Sequence, residues 1–164
     1  LKPVALLVFA PGLYSISVDT PASSSPGVAV LSDTPQANVP VDVQTQPTAE
    51  FVEVVQRRVD DFLTACATQQ VLQPTGCPFG LVVQNRIISD PIWTMQQQPE
   101  VSIVPDGANW AIERVPAVAH IKVDIQSIFA GKVRTLDEAV PFFIGGTITM
   151  LPDGTASIQI TDGS

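Results

Sequence analysis

Apolar side chains recur with the period of an α-helix from residue 51 to residue 66, and beyond residue 80 they recur with the period of a β-strand. Phe51, Val55, Val59, Phe62 and Cys66 stand at i, i+4, i+8, i+11 and i+15, with Val52 and Leu63 widening the stripe. That spacing puts them on one face of a helix of about five turns. Thr48 is placed to cap it, Glu50 and Glu53 sit near its positive end, and Pro74 prevents it from continuing. Strand-like runs follow at 81–84, 92–95, 101–104 and 110–115, and most clearly at 117–125. There the odd positions are apolar, whereas His120, Lys122, Asp124 and Gln126 are polar. Residues 147–151 and 155–160 flank Pro152-Asp153-Gly154, a hairpin signal, and Asp106-Gly107 marks another turn. Gly145-Gly146 reads as a bulge or bend in the strand that starts near Val140. One long helix followed by a run of antiparallel strands is an α+β pattern, with the helix lying across a curved antiparallel sheet.

The texture before the helix is different. Prolines 3, 11, 21, 26, 35 and 40, glycines 12 and 27 and the run Ser23-Ser24-Ser25 punctuate residues 1–46. Short apolar stretches lie between them at 4–9, 13–18, 28–31 and 39–43, and Pro11-Gly12 reads as a turn joining the first two. This predicts a division into a small antiparallel β unit over 1–46 and a helix-plus-sheet domain over 47–164.

Composition decides which partners fit. Only 15% of the 164 residues are charged, against 45% hydrophobic, and the formal charge is −8. A nucleic-acid site needs a stripe of cations to displace phosphate counterions. No Lys or Arg occurs between Lys2 and Arg57, so nucleic acid is excluded as a partner. The net charge also opposes contact with an anionic membrane surface. With so few charged side chains, apolar ones must occupy part of the outside, which predicts a protein partner or a homodimer through an apolar surface.

Cys66 and Cys77 are separated by ten residues. That is not the spacing of a redox C-x-x-C pair, and two cysteines with one histidine cannot complete a four-ligand zinc site. A disulfide tying the loop to the helix would stabilise the fold by roughly 3 kcal/mol and would place the chain outside the cytoplasm. Two buried free thiols and a reactive thiol are the alternatives.

His120 falls on the polar side of its strand, and no Gly-x-Ser-x-Gly elbow accompanies it. Asp60 and Asp61 are neighbours on a helix, so their side chains diverge by about 100° and read as solvated charges. Asp137 and Glu138 read the same way. Phosphate-binding glycine loops and calcium loops are absent, and no catalytic residue, metal ligand or cofactor is expected.

Two segments carry a family resemblance. Pro11-Gly12-Leu13-Tyr14-Ser15-Ile16-Ser17-Val18 looks like the Pro-Gly-x-Tyr strand of small envelope-associated β modules. Phe62-Leu63-x-x-Cys66, then Gln73-Pro74-x-Gly76-Cys77-Pro78-Phe79-Gly80, then Trp93, is similar to uncharacterised ectodomains of single-pass membrane proteins of actinobacteria-like Gram-positive bacteria. The resemblance implies a place at the cell surface or envelope and a membrane anchor preceding Leu1 that this chain lacks. It implies no activity. The helix-on-curved-sheet pattern also looks like the cystatin/NTF2 group of folds, an analogy that transfers no chemistry.

The expected function is a non-catalytic extracytoplasmic interaction or sensing module. The alternative is small-molecule binding in the concavity between helix and sheet, with Phe79, Trp93, Trp110, Phe142 or Phe143 lining it; the same five could instead belong to an interface, Trp93 and Trp110 as anchors, although Trp110 in a strand is more often core. A hydrolase or isomerase would need a carboxylate or His120 inside such a pocket.

Overall fold

The proline- and glycine-punctuated first quarter of the chain forms two short ladders. β1 (Gly12–Ile16) pairs antiparallel with β3 (Val28–Ser32), and β2 (Ser23–Ser24) pairs with β4 (Gln46–Pro47) just before the helix. The structure, a computed structural model, describes residues 4–151 and 155–162. After α1 (Ala49–Ala67) come β5 (Arg86–Ile87), β6 (Ile92–Gln97), β7 (Ile103–Asp106), β8 (Asn109–Gln126), β9 (Val133–Met150) and β10 (Ala156–Asp162).

β8 and β9 are 18 residues each and pair along almost their whole length. Straight, each would run about 60 Å. A compact chain of this length has a radius of gyration of about 15 Å, so the pair has to coil. β10 lies on the far side of β9, and β7, β6 and β5 occupy the other edge of β8 in turn, all antiparallel. The result is α+β: one helix against a curled antiparallel sheet that forms a half-barrel.

A bulge makes this curl compatible with one core. Ile112 pairs with Gly146 and Val115 with Ile144, so Glu113 and Arg114 together oppose the single residue Gly145. The extra residue shifts the side-chain phase by one. Trp110 and Ile112 point inward at even positions before it, and Ala117, Ala119, Ile121, Val123 and Ile125 point inward at odd positions after it. The bulged residues belong to β8, and the glycines stand opposite them. Gly146 has its own constraint, because a Cβ there would run into the backbone carbonyl of Gln159 in β10.

α1 fills the concave side. Thr48 caps it, its hydroxyl accepting from the Phe51 N–H at 3.2 Å while donating to the Pro21 carbonyl at 2.6 Å. One hydroxyl thus satisfies a free helix donor and fixes the helix start to the turn before β2. The buried stripe is Phe51, Val55, Val59, Leu63 and Cys66. Leu63, rather than Phe62, is its fourth member, and Phe62 sits half-buried at the flank. Burial of a Val or Leu side chain contributes about 2 kcal/mol, and Val55, Val59 and Leu63 are each fully buried. Gln56 clamps the helix sideways, donating to the Pro99 carbonyl at 2.9 Å and accepting from the Val101 N–H at 2.9 Å.

Some expected strands are not strands. Residues 4–9 are exposed and unpaired, and β1 takes β3 as its partner instead. Pro11-Gly12 therefore joins no hairpin; Gly12 opens β1, and the Tyr14 hydroxyl donates to the Phe9 carbonyl. An apolar run without alternation offers no face to bury against a two-stranded ladder. Residues 39–43 are interrupted by Pro40, which has no N–H to donate to a ladder. Residues 81–84 alternate as expected, with Leu81 and Val83 half-buried and Val82 exposed, yet no strand lies beside them. The runs 110–115 and 117–125 are one strand, continuous across the bulge. Pro152-Asp153-Gly154 lies outside the described residues, and β9 and β10 on either side of it pair from Met150 with Ala156.

Candidate functional site

Cys66 and Cys77 form a disulfide, with Cα atoms 5.8 Å apart. It holds residues 68–80 against the end of the helix, and polar contacts complete the attachment. The Gln69 side chain accepts from the Thr75 N–H at 2.9 Å, the Leu81 N–H donates to the Leu72 carbonyl at 2.8 Å, and the Trp93 Nε1–H donates to the Val71 carbonyl at 2.7 Å. An intact disulfide suits an oxidising environment. No helix among the described residues is long and apolar enough to cross a membrane.

The aromatic residues expected to line the concavity fill it. Phe79 packs on Trp93 with ring centroids 4.9 Å apart and on Phe142 at 5.2 Å, and Phe51 of α1 approaches Trp110 at 6.2 Å. Phe79, Trp93, Trp110 and Phe142 are all buried. Phe142 pairs across the ladder with Ala117, whose small side chain leaves room for the ring. Phe143 does not join them. Adjacent strand residues point to opposite faces, so Phe143 lies on the outer side, 41% exposed, with the Arg114 guanidinium 3.5 Å above its ring. Four of the five are thus core side chains and one lies on the outer face, and none of them lines the two hollows beside β10.

Open space lies beside β10. Ile158 pairs with Ile148 and Ile160 with Gly146, so both face inward, yet both remain half-buried. Between them and α1 run two adjoining hollows of about 330 Å³ each, open to solvent. One is lined by Arg58, Phe62, Ala156, Ile158 and Ile160. The other continues past Phe62 and Ile160 to the Gly76-Cys77-Pro78 loop and Asp162. Phe62 and Ile160 belong to both, so the hollows form one trough along β10. Phe62, Ile158 and Ile160 supply its large apolar side chains, much of the rest of its lining is polar, and Arg58 and Asp162 stand at its two ends.

The free edge of β10 borders this trough. Among the described residues β10 pairs only with β9. Exposed edges are normally blunted by proline, lysine or a bulge. β10 reads Ala-Ser-Ile-Gln-Ile-Thr-Asp and carries none of these, with Asp162 its only charge.

His120, Asp60, Asp61, Asp137 and Glu138 line neither hollow, whereas Asp162 lines one. The His120 Nε2 lies 2.7 Å from an Asp137 oxygen, but on the outer face of the sheet, and neither hollow reaches it. Asp124, beside them, accepts from the Thr135 hydroxyl at 2.6 Å. Asp60 receives a bond from the Gln56 side chain at 3.0 Å, whereas no contact joins it to Asp61. No cluster of three His, Cys, Asp or Glu residues suited to a metal ion occurs among the described residues.

Phe62, Arg58, Ile158 and Ile160 were not distinguishable as site residues in the sequence. The only signal was the width of the apolar stripe on α1, which holds both Phe62 and Leu63 although one facing sheet needs only one of them. Compared with known protein families, with curated proteins and with solved structures, the chain has no match.

Proposed function

We propose that this chain is a non-catalytic interaction module working outside the cytoplasm, and that it binds an extended segment of a protein partner along β10. The observation that carries the reading is the coincidence of a sheet edge unpaired among the described residues with a trough beside it that presents the side chains of Phe62, Ile158 and Ile160. In β-strand addition the edge supplies main-chain hydrogen bonds, and alternate side chains of the guest enter a neighbouring groove. β10 is seven residues long, enough for about 23 Å of guest strand, and Phe62, Ile158 and Ile160 provide the apolar contacts. The disulfide supports the compartment, and the resemblance to envelope ectodomains agrees with it. The helix across a curved sheet resembles the cystatin/NTF2 group at the level of architecture.

A second reading has its own observation. Each hollow is at the lower end of the volumes that hold small molecules, which favours a small apolar ligand over Phe62.

Selection from a displayed library of random seven-residue peptides separates the two readings. Strand addition predicts extended peptides with apolar residues at alternate positions, and Ile160→Glu or Phe62→Ser is expected to weaken the best of them more than tenfold. Thermal unfolding of both variants confirms that they remain folded. Failure to enrich any peptide, or peptides indifferent to both substitutions, would remove the strand-addition reading.

A further inference from the structure

The turn between β8 and β9, residues 127–132, brings together exposed apolar and basic side chains. Ile128 is 67% exposed and Phe129 fully exposed at its apex, and Val133 is exposed at the start of β9. Arg86 pairs with Gln126, and Gln126 with Val133, so β5, β8 and β9 end at the same level here. Ile87 and Ile88 add two more exposed apolar side chains on the β5 side.

The turn is held by its own hydrogen bonds. The Ser127 N–H donates to the Lys132 carbonyl and the Gly131 N–H to the Ser127 carbonyl, each at 2.9 Å. The Ala130 N–H donates to the Ser127 hydroxyl at 3.2 Å, and the Gln126 side chain donates to the Gly131 carbonyl at 3.1 Å. Gly131, at φ +64°, supplies the left-handed residue that closes the loop. Ile128 and Phe129 therefore project from an ordered backbone.

Charge is concentrated at the same end. Residues 80–89 and 125–135 hold Arg86, Lys132 and Arg134 and no Asp or Glu, in a chain whose formal charge is −8. All three cations are exposed, and none of them is in a salt bridge among the described residues. The flanking acids are Asp90 beyond β5 and Asp124 in β8, the latter occupied by the Thr135 hydroxyl.

We propose that this turn inserts Ile128 and Phe129 into a bilayer containing anionic lipid, while Arg86, Lys132 and Arg134 engage the headgroup phosphates. An apolar apex with cations set behind it matches the order of acyl chain and phosphate in a membrane surface, and Lys and Arg stems lie readily along apolar surface. Three cations against the two nearby acids Asp90 and Asp124 leave this end with a small positive balance, and acids elsewhere in the chain are largely screened beyond a Debye length. The docking proposed for β10 is independent of this turn.

Co-sedimentation with vesicles tests the insertion, using phosphatidylcholine alone and phosphatidylcholine mixed with phosphatidylglycerol. The intact chain is expected to partition onto the mixed vesicles and not onto phosphatidylcholine. The pair Ile128→Ser, Phe129→Ser should lower partitioning at least tenfold, because the buried apolar area sets the hydrophobic part of the binding. Arg86→Gln, Lys132→Gln and Arg134→Gln should each lower it about fivefold and weaken its salt dependence. Both tip residues are exposed, so the serine pair should unfold at the same temperature as the parent. No partitioning onto either vesicle, or equal partitioning of the serine pair, overturns the proposal. Self-association that the serine pair abolishes, without vesicle binding, overturns it in favour of a second copy of this chain.

Discussion

Replacing Trp93 by alanine is expected to cost about 4 kcal/mol of stability, a value typical of large aromatic side chains removed from a packed core. Trp93 is buried on the inner face of β6, packed at a tilt on Phe79, and its indole N–H donates to the Val71 carbonyl at 2.7 Å. The substitution leaves a cavity between helix, sheet and disulfide loop and releases one attachment of residues 68–80. For a chain of this length the melting temperature should fall by about 10 °C. Phe143→Ala is the matched comparison. Although adjacent to Phe142, Phe143 lies on the outer face under Arg114, and its removal should cost less than about 1 kcal/mol. Urea titrations of the two variants decide this. Equal losses would mean that the aromatic residues do not divide into core and outer face as described.

Cys66→Ala with Cys77→Ala is expected to cost about 3 kcal/mol, from the chain entropy regained when an 11-residue link is opened. The effect should also have a place. Gly76, Cys77 and Pro78 line one end of the trough, so amide exchange should quicken over residues 68–80 while β8 and β9 keep their protection. Binding of a trough-directed peptide should weaken in parallel. Exchange that quickens uniformly would show the disulfide to be a global staple with no special bearing on the site.

The helix was legible in the sequence because five apolar residues at helical spacing, an N-cap and a terminal proline agree with one another. The continuity of β8 did not emerge from the sequence, where 110–115 and 117–125 stand as two runs, although a signal for it was present. Its apolar residues change from even to odd positions between Ile112 and Val115, as one inserted residue requires. The role of the aromatic side chains was not legible, because hydrophobicity says that a residue seeks cover, not whether protein or ligand provides it. Phe79 packs on Trp93 and Phe142, and Trp110 packs on Phe51. The run at residues 4–9 was misleading for a related reason, since an apolar stretch needs a neighbouring strand to become one. The trough could not be read locally at all. It depends on where α1 and β10 come to lie, and Ile158 and Ile160 have the same pattern whether covered or not.

The most direct measurement is an amide-shift titration of the isotope-labelled chain with a selected seven-residue peptide. Strand addition at β10 predicts the largest shifts at Ala156–Asp162, with smaller ones at Arg58 and Phe62 across the trough. Shifts confined to β1 and β3, or to the outer face around Phe143, would contradict binding at this edge.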